Sequence, residues 1–115
     1  MNTNLSTKQV EIILNLLIDN GLLYNEAKEM EGGILLDDEE FMNKMDNILK
    51  FCQRLYIDAS EGNINKTLAC HYILEMLVGI KKYRDAYSRY AIGYYVFNSV
   101  YDKTLESLTE LIKSN

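Results

Sequence analysis

Not one proline interrupts the 115 residues, and only six are glycine. Average composition would supply about six prolines at this length, and many short strands cannot be punctuated without such residues. Helices are therefore expected to dominate. The apolar share of 48% and the charged share of 25% are ordinary globular values, which argues against disorder and low-complexity scaffolds. The length predicts one helical domain over residues 1–115 with a single core.

Ser6-Thr7-Lys8-Gln9 has the spacing of a capping box, and Val10, Ile13, Leu14, Leu17 and Ile18 follow at helical period, which predicts a first helix from Ser6. Asn20-Gly21 is expected to stop it, glycine taking the left-handed position beyond the last turn. Leu22 to Met30 then reads as a short helix or an irregular continuation, and Gly32-Gly33 opens a loop that carries Ile34-Leu35-Leu36 as an exposed surface. Asp37 is expected to cap the next helix, with Glu40 three residues on and the acids Asp37 to Glu40 where the helix dipole favours negative charge. Its seam is Phe41, Met45, Ile48, Cys52, Leu55 and Ala59, in alternating steps of four and three, and Glu61-Gly62 ends it. A third helix starts near Asn63 or Asn65 and carries Leu68, Tyr72, Ile73, Met76, Leu77 and Ile80 on one face. Beyond Gly79 only Gly93 punctuates the chain. The pattern predicts one long helix over Lys82 to Tyr101 and a last one over Asp102 to Lys113, capped by Asp102, with Leu105, Leu108, Leu111 and Ile112 inward. The aromatic and β-branched residues of Tyr90 to Tyr101 leave a strand there as the competing reading. The fold class is all-α, a compact bundle of four to five helices.

No stretch reaches the roughly 18 to 20 consecutive apolar residues that a membrane span needs, since Ile12 to Ile18 is interrupted by Asn15 and closed by Asp19. Met1-Asn2-Thr3-Asn4 lacks the basic start of a secretory signal, so a cytoplasmic location is expected. There Cys52 and Cys70 are expected to stay reduced, as free thiols.

Two features rise above this background. Residues 1–62 carry a net charge of -7 and residues 63–115 a net charge of +2, so the molecule is expected to be a dipole. The acidity concentrates in Glu26, Glu29, Glu31, Asp37, Asp38, Glu39 and Glu40. Such a block steers a basic partner and speeds encounter, beyond its use as helix caps and solubilising charge. The second feature is a tyrosine stripe. Tyr83, Tyr87, Tyr90, Tyr94, Phe97 and Tyr101 recur in steps of four and three, with Lys81, Lys82, Arg84 and Arg89 alongside. Core packing explains that spacing, but a buried tyrosine hydroxyl needs a partner, and tyrosine with arginine is enriched at protein interfaces. Basic residues among aromatics also bind single strands, yet a sequence pI near 4.8 opposes direct nucleic-acid contact, for which domains usually exceed about 9.

The residues for catalysis are sparse. His71 follows Cys70, so on a helix their side chains point roughly 100° apart and form no nucleophile and base pair. A Cys52 and His71 pair across helices lacks a third, orienting group. Two cysteines and one histidine fall short of a structural zinc site, and the alternate ligands of a calcium loop are missing from Gly32 to Asp38. Glu26 and Glu29, with Glu39, Glu40 and Asp46, resemble loosely the magnesium-binding carboxylates of the all-α nucleotide pyrophosphatases, but the second carboxylate pair and the glycine-rich phosphate motifs have no match. No cofactor or metal is expected, and no enzyme activity. Small acidic helical proteins with surface tyrosines are similar in general character to bacterial immunity proteins that cap a basic nuclease toxin. That resemblance implies a basic protein partner, met by Glu31, Asp37, Asp38, Glu39 and Glu40 at the rim and by Tyr83, Tyr87, Tyr90 or Tyr94 as anchors. The alternatives are a phage or mobile-element inhibitor of a host defence nuclease, a homo-oligomer joined through the tyrosines, and the carboxylate and magnesium hydrolase.

Overall fold

The capping box at Ser6 forms as its spacing predicts: the hydroxyl accepts from the Gln9 N–H, and the Ser6 N–H donates to Gln9 Oε1 at 2.9 Å. From there, in a computed structural model that describes residues 4–115, α1 runs over Thr7–Glu29, α2 over Glu39–Ser60, α3 over Lys66–Asp85 and α4 over Ile92–Lys113. Short connections between long neighbouring helices make the bundle antiparallel, 51 Å long and about 20 Å wide. The fold is all-α, and no strand forms among the described residues. None of these helices is long and apolar enough to cross a membrane. The reading of Met1-Asn2-Thr3 as lacking a leader lies outside the described residues.

The predicted seam of α2 is the one observed, because Phe41, Met45, Ile48, Cys52, Leu55 and Ala59 are all buried. Its cap is Asp38 rather than Asp37: the Asp38 carboxylate accepts from the Phe41 N–H at 3.0 Å, one residue later than predicted. Asn65 caps α3 through the Leu68 N–H, and the buried face of α3 is Ala69, Ile73, Met76, Leu77 and Ile80, with Leu68 exposed instead.

Three other boundaries differ from the sequence reading. The chain stays helical through Asn20-Gly21, and Leu22 to Glu29 continue α1 without a break. Leu16, Asn20 and Ala27 are all fully buried, so packing on both sides outweighs the roughly 1 kcal/mol that a mid-helix glycine costs. The long helix predicted over Lys82 to Tyr101 is broken, because α3 ends at Asp85 and the chain reverses before Ile92. A last helix beginning at Asp102 is not formed separately either, since α4 passes through that residue. Ala91 precedes α4 with no side-chain cap, so this start leaves no polar signature in the sequence. The inward face of α4 is Gly93, Val96, Phe97, Val100, Thr104, Ser107, Leu108 and Leu111, which leaves Leu105 and Ile112 exposed.

The end of the bundle that holds the chain termini is tied by polar groups. Gln9 Nε2 donates to Ser114 Oγ at 3.1 Å, and Lys66 Nζ donates to the carbonyl of Ile112 at 2.8 Å, answering the free carbonyls at the end of α4. At mid-height two fully buried polar side chains are under-satisfied. Among the described residues Asn20 donates only a long contact to Cys52 Sγ, at 3.7 Å, and neither its oxygen nor the Thr104 hydroxyl has a partner. Thr104→Val keeps the shape and removes the orphaned hydroxyl, so it is expected to raise stability by about 1 kcal/mol in urea unfolding at unchanged slope. A loss of stability would show that an internal water holds the hydroxyl.

Candidate functional site

At the opposite end two loops meet. Glu31 (φ 50°), Gly32 and Gly33 (φ 70° and 87°) all take left-handed backbone and turn the chain out of α1. Gly33 is the position most closely constrained, because a Cβ there would stand 3.3 Å from Leu36 Cδ1 and 3.4 Å from the Lys28 carbonyl. One 3₁₀ turn, Ile34–Asp37, follows. Of its apolar run only Leu35 is buried, against the expectation that all three are exposed, and it anchors the loop while Ile34 and Leu36 remain 58% and 51% exposed. The second loop, residues 86–91, is held by backbone bonds from the Tyr87 N–H to Arg84 and from the Ala91 N–H to Ser88.

Ile34, Leu35, Asp37, Asp38, Tyr87, Ala91, Ile92 and Gly93 line an open groove of about 330 Å³ between these loops. Tyr87 forms one wall. Its ring lies so close over Gly93 that a Cβ there would come within 2.7 Å of Cε1, and its centroid is 5.8 Å from Phe97. Lys44 Nζ sits 4.9 Å from the same ring, within range of a cation–π attraction. The Tyr87 hydroxyl is buried without a partner among the described residues. Desolvation, reinforced by the nearby charges of Asp38 and Glu40, pushes its pKa up to about 12, so the phenol is neutral at physiological pH. Glu39 and Glu40 belong to the first turn of α2 beside the groove. Among the described residues, none of Asp37, Glu39 and Glu40 takes part in an ion pair. Asp38 is committed to its cap through one carboxylate oxygen.

The fold therefore brings Asp37, Asp38 and Tyr87 into one groove with Glu39 and Glu40 at its side, and places Tyr90, 98% exposed, on the same loop as Tyr87. Glu31 sits exposed in the preceding turn, outside the groove lining. The tyrosine stripe is not one helical face, because the break at residues 86–91 divides it. Tyr83 packs on Phe97 at 5.7 Å, and its hydroxyl receives a long bond of 3.4 Å from Asn47 Nδ2. Tyr94 and Tyr101, one on each side of Asn98, both stack on Arg84 at 5.4 Å. Arg84 donates to Asn98 Oδ1 at 3.0 Å, so these two tyrosines clamp α3 to α4. Lys44, Ala91, Ile92 and Gly93 were not expected at the site. The signal for Lys44 was its place three residues after Phe41 on α2.

Elsewhere the polar residues have structural duties. Burial pushes the Cys52 thiol up to about 11, although the Asn20 contact lowers it, so Cys52 behaves as a core residue rather than a thiolate nucleophile. His71 Nε2 is 3.2 Å from Glu75 on the exposed side of α3. Among the described residues no group of three or more His, Cys, Asp and Glu side chains is placed to hold a metal ion. No family model, curated protein or solved structure matches this chain.

Proposed function

We propose that the loop end of the bundle is a docking face for a basic protein surface, and that the protein is a non-enzymatic inhibitor of a nuclease-type partner, as an immunity protein neutralises its cognate toxin. The observation that carries this reading is the groove itself: Asp37 and Asp38 share it with Tyr87 and the exposed Ile34. Apolar floor and charged rim are the usual anatomy of a protein interface. Nuclease surfaces are basic because they hold phosphates, and an acidic partner gains both steering and complementarity by covering them. Tyr90 supplies a large, rigid side chain with one polar end, the kind of residue that anchors interfaces.

The test is capture of a basic nuclease from the producing cell, followed by an assay of its activity with an equimolar amount of this protein. Stoichiometric inhibition is the expected result, and a captured nuclease that remains fully active overturns the reading. Asp37→Lys with Glu40→Lys spares the Asp38 cap. The pair is expected to slow association by about tenfold at low salt and by less at high salt, because long-range steering is screened. Tyr90→Ala is expected to weaken binding by about tenfold or more through faster dissociation, with the fold unchanged, if the ring is an anchor.

A further inference from the structure

The four helices are not joined equally. Of the neighbouring pairs, α2 and α3 are the least engaged, and two open hollows of about 270 Å³ each lie along their seam. Phe51 lines both. Tyr72 and Leu55 line the lower one, Met76, Gly79 and Tyr83 the upper. Phe51 and Tyr72 meet edge to face at 6.5 Å, and both are only partly buried. Gly79 stands mid-helix in α3 with nothing within 4 Å of where a Cβ would be. Packing within one chain therefore gives no reason for a residue that costs roughly 1 kcal/mol in a helix. A glycine in the floor of a groove does permit another backbone to come close.

Arg54, Asp58 and Glu75 are the charged residues that line the hollows, and on α2 Asp58 and Lys44 are spaced to complement each other in a second copy. On α2, Lys44 lies seven residues before Phe51 and Asp58 seven residues after it, so both share its face about 10.5 Å away in opposite directions. A second α2 laid antiparallel across a two-fold axis at Phe51 sets each Lys44 against the other copy's Asp58. Among the described residues the Asp58 carboxylate has only a long, 3.9 Å ion-pair contact, with Arg54, itself a highly exposed side chain, so it is open to a second cation. A two-fold contact needs one surface that complements itself.

We propose that the α2–α3 groove is the interface of a homodimer, in which two copies pack antiparallel about Phe51 with Gly79 admitting close approach and Lys44 paired with Asp58 across the axis. This arrangement leaves the loop end of each copy at opposite poles. It is independent of the function proposed above.

Sedimentation velocity of the full chain from micromolar to sub-millimolar concentration tests it. The expected result is a monomer to dimer transition. Lys44→Glu and Asp58→Lys are each expected to weaken self-association by at least about tenfold, because the two-fold axis applies the repulsion twice. Mixing the two variants is expected to restore a dimer, now mixed, in which both cross-axis pairs are again of opposite charge. Lys44 also covers the Tyr83 and Tyr87 rings, so each variant is checked for its helical spectrum and melting temperature. Gly79→Leu fills the groove where the monomer offers no obstacle, and is expected to abolish association without loss of stability. A wild-type chain that stays monomeric throughout overturns the proposal, as does a dimer indifferent to Gly79→Leu or a mixture of folded variants that fails to associate.

Discussion

Replacing Phe97 by alanine is expected to destabilise the fold by about 3–5 kcal/mol, read as a lower urea midpoint at unchanged slope. Phe97 is fully buried, and three aromatic rings converge on it: Phe41 at 5.2 Å, Tyr83 at 5.7 Å and Tyr87 at 5.8 Å. They come from α2, the last turn of α3 and the loop after it, so one ring of α4 holds three elements at the loop end. Each aromatic pair adds roughly 0.5–1.5 kcal/mol beyond the area it buries, which places this substitution toward the upper end of the range. The cavity also removes the surface on which Tyr87 rests, so the groove should lose its wall even at temperatures where the helices survive. Phe51→Ala, at a half-exposed ring on the α2–α3 seam, is expected to cost less. A Phe97→Ala loss below about 2 kcal/mol would show that the loop end collapses to fill the hole.

The fold class was legible because the relevant signals are local and repeated. The α2 seam keeps one phase for six buried positions, and the capping box at Ser6 is a contiguous pattern of four residues whose hydrogen bonds form as written. The errors come from places where local signals and distant packing disagree. Asn20-Gly21 carries the local signature of a helix end, yet Asn20 lies fully buried in the middle of the bundle, and no local rule encodes that burial. The reversal at residues 86–91 was hidden for the opposite reason. It has no proline or glycine, and the residue preceding α4 makes no side-chain cap. The turn is held instead by the ring of Tyr87 lying on Gly93 and Phe97, a contact between residues six and ten positions apart that takes shape only once the chain has reversed. The four and three spacing of the tyrosines ran across this break by coincidence of length, which is why a single aromatic face was expected where there are three separate environments.

The site was partly legible in the same sense. The acidic block and the loop after Gly33 were visible as composition, and the fold places Asp37, Asp38 and Ile34 together at the bundle end. What joins Tyr87 to that block is tertiary: the loop preceding α4 folds back onto the loop preceding α2, and neither segment carries a motif for the other. Tyr94 illustrates the converse. Its spacing matches Tyr87, but its ring is taken up by Arg84, a partner ten residues away on another helix.

Tyr87 separates ring from hydroxyl in one pair of substitutions. Tyr87→Ala removes a wall of the groove and a ring that packs on both Gly93 and Phe97, and is expected to cost about 3 kcal/mol of stability. Tyr87→Phe keeps the ring and removes a buried hydroxyl that has no partner among the described residues, so it is expected to be neutral or to stabilise by up to about 1 kcal/mol. The alkaline limb of the stability curve distinguishes the hydroxyl's contribution from packing. In the unfolded chain the phenol ionises near 10, whereas in the fold, through desolvation first and then Asp38 and Glu40, it ionises at about 12. Below the unfolded value both states hold the proton and nothing changes. As pH rises from about 10 toward about 12 the unfolded chain gives up a proton that the folded chain keeps, so stability falls. Tyr24 is raised by burial and by Asp46 and contributes in the same direction, so the decline persists in Tyr87→Phe but is expected to be shallower than in the wild type. Parallel curves for the two proteins through that window would show that the Tyr87 hydroxyl is solvated in the fold rather than held dry behind the groove wall.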